Sequence, residues 1–411
     1  MFDPHSVRPL FPALERSLNG EPVAYLDGPG GTQTPRTVAA AMASVLDRGV
    51  SNNGGDFVTS LEGEAIVSAA RQSVADLINA ADAHEIAFGQ NMTSLTFAVS
   101  RALAKTWRSG DEIVVTRLDH DANITPWVVA AQERDVQVRW LDFLPEEGCR
   151  LDYSALEEVL TQRTRLVAVT HASNAVGTVV DVDRVVTAAH SVGALAYVDA
   201  VHYLPHGLVD VQELGCDLLV ASAYKFFGPH TGFLYGRHEL LAEVEAYKVR
   251  PAPADPPGKW ETGTQSFESL AGLTAAIDYL ASLGQVEATV SRRSALQAGM
   301  KAVSAYEQYL TDAFLDAAAQ RHFITLAGRG KTGRTPTFAV EIDGISAQDV
   351  ARRLGEQGVF VWAGHYYAVE VMERLGMLEK GGLVRIGFVH YNTEAELDRL
   401  MTSLDGLVAG R

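Results

Sequence analysis

Six short apolar runs constrain this chain more than any other feature: EIAF from Glu85, EIVVTR from Glu112, VQVRWL from Val136, RLVAVT from Arg165, ALAYVD from Ala194 and DLLVAS from Asp217. Helical patterns, such as Ser94 to Lys105 and Val182 to His190, stand between them. Strand-length runs alternating with helices predict a mostly parallel sheet covered on both faces, an α/β fold. Such a sheet presents the residues just past its strands to one crevice at the carboxyl edge. Here those residues are Thr93 and Ser94, His120, Asn174, Asp199 with His202, and Ser222 with Lys225.

The stretch LLVASAYKFFGPHTG, Leu218 to Gly232, sets Lys225 just beyond a buried run, with glycines and a proline that let backbone approach a ligand. The run before it ends on Asp199, so an acid and an amine face the same crevice. A lysine that forms an imine and an aspartate that pairs with a pyridinium nitrogen are what pyridoxal phosphate requires of a protein.

The 411 residues, 47% of them hydrophobic, suit two domains. With 51 acidic against 34 basic residues and a net charge of −17, the chain repels phosphate backbones and anionic membranes, so neither nucleic acid nor membrane is an expected partner. The N-terminus has no basic region followed by an apolar core, and no apolar run reaches the ~18 residues of a membrane span, which points to the cytoplasm. Two cysteines, Cys149 and Cys216, build neither a disulfide framework nor a thiolate zinc cluster. His202 and His206 are spaced i,i+4, but Pro205 prevents one helix from carrying both, and no metal is expected.

Residues 1–20 read as an arm that packs with the smaller domain, 21–258 as a large ligand-binding domain, and 259–411 as a small α+β domain introduced by long helices through about Ala319. The four prolines of VRPAPADPPGK, Val249 to Lys259, mark the join. In the last part, strands are expected near Thr337 to Ile342, Val359 to Trp362 and Leu383 to Phe388. YLDGPGGTQTP, from Tyr25, is a glycine-rich loop but not a dinucleotide fingerprint, since Gln33 stands where a third glycine is needed. GRGKTGRT, from Gly328, fails the phosphate-loop spacing at Thr325 and reads as a solvated hairpin-like loop; SNNGGDF, from Ser51, is a loop of polar and glycine residues, with flexibility and ligand contact as rival readings.

Taken in order, YLDGPGGTQTP, DEIVVTRLDHDANITPW, HASNAVGTVVDV, VDAVHYLPHGLVDVQELGCD, SAYKFFGPHTG, WETGTQSF, GHYYAVEVMERLG and VRIGFVHYNTEAELDRL resemble the class V, fold-type I pyridoxal-phosphate enzymes. That family contains cysteine desulfurases, selenocysteine lyases and isopenicillin N epimerase. The resemblance implies a large domain with a mostly parallel seven-stranded sheet and a homodimer whose active site lies at the interface. It implies Lys225 as the internal aldimine, Asp199 on the ring nitrogen and His120 on the ring face. Met92, Thr93 and Ser222 would hold the phosphate, joined by Thr264 from the neighbouring subunit, with Asn174 and His202 near the ring hydroxyl. Arg385 would clamp the α-carboxylate of an amino acid, with Gly28, Asn174, His365, Tyr366 and Tyr367 around the substrate.

Desulfurases pass sulfur to a cysteine of the small domain, and in the matching segment Tyr367 stands at that place. A phenol cannot become a persulfide. The expected reaction is therefore β-elimination, a C–S lyase acting on an S-substituted cysteine through a quinonoid. Alternatives are transamination or racemisation, decarboxylation-coupled deamination of an S-linked amino acid, desulfuration through Cys149 should its loop fold over the site, and a non-catalytic binding protein that keeps the fold.

Overall fold

A computed structural model describes residues 2–287 and 289–410. Each of the six apolar runs forms a strand, and a seventh, Gly232–Gly236, completes the central sheet. In spatial order the strands are Ile86–Gly89, Gly232–Gly236, Leu218–Ser222, Leu195–Asp199, Thr164–Thr170, Glu112–Thr116 and Gln137–Leu141. The last five run parallel; Gly232–Gly236 is antiparallel to both of its neighbours. Six carboxyl ends therefore share one edge.

Alternation along each strand splits the core. Val114, Val167, Val198 and Leu219 join one buried cluster, while Ile113, Val115, Leu166, Ala168, Tyr197 and Val220 join the cluster on the opposite face. Helices cover both faces. Met92–Leu103 starts where Asn91 accepts a hydrogen bond from the Ser94 N–H (2.9 Å), and Val182–Ser191 is capped by Asp181 (3.2 Å).

A second, four-stranded sheet has the order Ile324–Ala327, Thr337–Ile342, Leu383–Gly387, Trp362–Gly364, all neighbours antiparallel. Its own core includes Phe314, Phe338, Phe388 and Leu400. The expected strand Val359 to Trp362 is two pieces, because Val359–Phe360 pairs instead with Ala24–Tyr25 near the N-terminus. The arm reaches the same region: Phe11 packs edge-on against Tyr391 at 5.1 Å and Tyr279 at 5.4 Å, and Arg8 donates to the Tyr391 carbonyl (2.8 Å) and Glu396 (3.0 Å). GRGKTGRT is less solvated than its composition suggests. Arg334 is buried, and the Gly333 carbonyl accepts from the Val179 N–H at 3.0 Å, tying the loop to the large sheet's side.

Candidate active site

The carboxyl edge of the central sheet opens into a cavity of about 1240 Å3. The large sheet contributes Met92, Thr93, His120, Asn174, Asp199, His202, Ser222 and Lys225; from the second sheet and the loop beside it come Arg385, His365, Tyr366 and Tyr367. One residue expected in this chain's own cavity is not there. Gly28 is turned away, so that a Cβ on it would meet Val389 and the Gly387 carbonyl, and Pro29 and Gly30 line the cavity in its stead. The reason is a tight 3-10 turn over Gly28–Gly30 that points the next two residues inward. Thr264 is exposed outside this cavity.

Lys225 follows the strand Leu218–Ser222 on a short 3-10 turn, and its Nζ donates to the Pro29 carbonyl at 2.6 Å. Burial, then the charge of Arg385, lowers its amine to about 7, against the pull of Asp199 and Asp27. Asp199 ends its strand with one oxygen accepting from the Val201 N–H (2.9 Å), and burial raises its carboxyl to about 6. His120 is pushed down to about 3, chiefly by burial and then by Lys225 and Arg385, so it is neutral. Its Nδ1 accepts from the Ala122 N–H at 3.0 Å, which places the ring proton on Nε2. His202 Nε2 meets the Thr335 and Thr337 hydroxyls, each at 3.1 Å, and burial holds it well below the usual histidine range.

Close packing of backbone makes the helix start part of the site. Gly232 abuts Asn91 and Met92, where a Cβ would come within 2.6 Å of main chain. The Met92 N–H donates to Ser222 Oγ at 2.9 Å, joining helix start to strand end. Across the cavity, Arg385 donates to the Asn174 carbonyl at 3.0 Å and lies 4.5 Å from the Tyr366 ring centre. The Asn174 side-chain amide donates to the Tyr366 carbonyl (2.9 Å), and the Asp121 N–H to the Tyr367 carbonyl (2.6 Å). Asn174 Oδ1 is buried at this edge without a partner in the protein.

Cys149 does not belong to this site. It is buried outside the cavity, and burial pushes its thiol up to about 11; Cys216 is buried too and raised to about 12. Sequence reasoning overlooked Asp27, whose buried carboxyl is raised to about 6 by desolvation and whose Oδ1 has no partner. It stands in YLDGPGG, one position before the glycine that was named instead. It also overlooked Trp362, read only as a strand end. Tyr224, which stands before Lys225 where the resembling family has histidine, lines the cavity and stacks on His230 at 4.7 Å.

A family model described as aminotransferase class-V matches residues 24–400. The chain belongs to the aminotransferase class V family. This class V chain is a pyridoxal 5'-phosphate-dependent enzyme. A cysteine desulfurase of Pectobacterium carotovorum subsp. carotovorum (strain PC1) is 33% identical to it over 419 residues, covering 97% of this chain and 96% of the relative. Two solved structures share its fold along its whole length. The cysteine desulfurase CsdA from Escherichia coli has a TM-score of 0.86 at 27% identity, and the apo cysteine desulfurase from Thermococcus onnurineus NA1 one of 0.89 at 26%; each alignment covers 100% of this chain and 99% of the other.

The donor set fits the cofactor. An amine lowered to about 7, a buried carboxyl, a neutral imidazole and a helix start beside two hydroxyls meet the needs of an aldehyde, a ring nitrogen, a ring face and a phosphate respectively. The unpartnered Asn174 Oδ1 marks a polar position that the protein alone leaves incomplete.

Proposed function

We propose that this class V enzyme breaks the bond between Cβ and sulfur in a cysteine-type amino acid. The observation that carries the reading is the meeting of Lys225, Asp199 and Arg385 in one cavity; the sulfur comes from the relatives named cysteine desulfurases. Those names favour desulfuration of cysteine over the elimination that the sequence put first, and over transamination, racemisation or decarboxylation. Cys149 is not the acceptor, for the reasons of burial and position above, so the sulfur passes to a soluble thiol. Elimination from an S-substituted cysteine remains as a second reading, favoured by the absence of cysteine among the described residues of the cavity wall.

When bound, pyridoxal phosphate supplies an aldehyde that condenses with amines and a ring that accepts the electron pair released at Cα. Lys225 Nζ would hold it and would take up the substrate's Cα proton, a task suited to an amine near 7. Asp199 would keep a proton on the ring nitrogen. His120 offers a flat, neutral ring face, and His202 and Asn174 attend the ring hydroxyl. Thr93, Ser222 and the first turn of Met92–Leu103 would hold the phosphate. Arg385 takes the α-carboxylate through its planar fork, and its burial strengthens that contact.

Residues 21–258 act as the cofactor-holding unit, while 259–411 bring Arg385 and the tyrosine loop. A cytoplasmic homodimer is part of the proposal, with the exposed Thr264 serving the partner's phosphate. The test is product analysis. Holoprotein given L-cysteine and dithiothreitol should yield alanine and sulfide; given S-methyl-L-cysteine, any elimination yields methanethiol, pyruvate and ammonia. Amino transfer to α-keto acids with no sulfur released from either substrate would sink the proposal.

A further inference from the structure

At about 1240 Å3 the cavity exceeds the roughly 300–1,000 Å3 of ordinary small-molecule sites. Its floor is polar and buried, whereas its exposed side carries aromatic rings beside polar residues such as Gln90, Ser94, His230 and Gln348. Trp362 and Tyr367, both more than half exposed, lie on the wall with the partly buried Phe97 and Leu378. In the single chain these two rings stay largely exposed, although Tyr367 also stacks on His120 at 5.6 Å, and they offer apolar surface to a ligand.

Both rings are held in place. Trp362 begins a strand paired to Leu383–Gly387, and its indole rests against Gly30, where any Cβ would collide with it. Tyr366 (φ +52°) and Tyr367 (φ +58°) are left-handed, a conformation disfavoured for residues with a Cβ. Hydrogen bonds from Asn174 and Asp121 to their two carbonyls maintain that conformation. Strain fixed in this way is typical of a ligand clamp. The only lysine and arginine on the described wall are Lys225 and Arg385, and the chain's net charge is −17, so the outer cavity has nothing to attract an anion.

We propose that Trp362 and Tyr367, with Phe97 and Leu378, form a subsite for a neutral, apolar substituent on the substrate's sulfur, making S-alkyl or S-aryl cysteines the substrate class. The inference rests on the second reading above, elimination from an S-substituted cysteine, and not on desulfuration of free cysteine. In that reaction the Cβ–S bond breaks with its electron pair going to sulfur, which takes a proton and leaves as a thiol. The remaining three-carbon fragment reacts with water and departs as pyruvate and ammonia.

The test is calorimetric titration of holoprotein with S-benzyl-L-cysteine and S-methyl-L-cysteine, together with assays of thiol and pyruvate release. Burying a phenyl ring should favour the benzyl compound by about tenfold or more. Trp362→Ala should bring the benzyl affinity down to that of the methyl compound, and Tyr367→Ala should narrow the gap. Equal affinities in the parent protein, or a preference unchanged in both variants, overturn the subsite. So does a Trp362→Ala variant that alters the oligomeric state in sedimentation while keeping the preference, since the ring then belongs to a subunit contact. A benzyl preference lost in Trp362→Ala but without release of thiol or pyruvate keeps the subsite and rejects the cleavage chemistry.

Discussion

At the cavity floor Asp199, Ser222 and Arg385 are at most 4% exposed, whereas at the rim Trp362 is 53% and Tyr367 68% exposed. These floor residues stand at strand ends or within a strand, and Lys225 on the short turn after one; burial moves the protonation there, with Lys225 lowered to about 7 and Asp199 raised to about 6. For the exposed Tyr367, position and backbone conformation are what the fold controls. The contrast separates two tasks. On the proposals above, burial prepares groups for proton transfer whatever the substrate, and the open rim selects what arrives.

If that division holds, floor variants should affect every substrate alike. The largest effect is expected for Lys225→Ala, which removes both the attachment and the proton acceptor. Its kcat should fall by at least about a hundred- to ten-thousandfold for all substrates, measured with cofactor saturating. A loss confined to one substrate would break the comparison. Next comes Arg385→Lys, which keeps the charge and loses the fork. KM for any α-amino acid should rise roughly tenfold or more, with a smaller change in kcat; an unchanged KM would place the carboxylate elsewhere.

The pH dependence of cofactor uptake sharpens the floor's half of the comparison. Imine formation requires a neutral amine, so apoprotein should capture pyridoxal phosphate ever more slowly as pH falls below the lowered value of Lys225, about 7. Stopped-flow absorbance should show a plateau above that pH. A rate still climbing toward the ordinary lysine value of about 10.4 would show that burial does not lower this amine. The smallest effect on activity belongs to Cys149→Ala. Turnover should stay within about twofold while thermal stability falls by about 1 kcal/mol, an ordinary loss for a buried side chain. Loss of sulfide release from cysteine would restore Cys149 as acceptor.

The floor was legible because strand-end positions follow from alternation along the chain: the runs ending at Asp199 and Ser222 located the acid and the amine before any geometry was known. Elements made by distant pairing were not. Ala24–Tyr25 finds its partner in Val359–Phe360, and that pairing splits a run that reads as one strand. Gly232–Gly236 is bounded by glycines and packs as the single reversed strand, with no helical pattern before it to announce it. Gly28 was named for a ligand contact that the turn gives to Pro29 and Gly30, because one residue of 3-10 twist decides which atoms face inward. Trp362 looked like an ordinary strand residue; only its exposure beside the cavity sets it apart.

The covalent anchor can be measured directly. Borohydride reduction of the holoprotein fixes the imine as a secondary amine, and peptide mass spectrometry then locates the added pyridoxyl group. The account predicts that group on Lys225, with the absorbance of the bound cofactor lost in step. Modification of another lysine, or a reduced protein bearing no pyridoxyl mass, would contradict it.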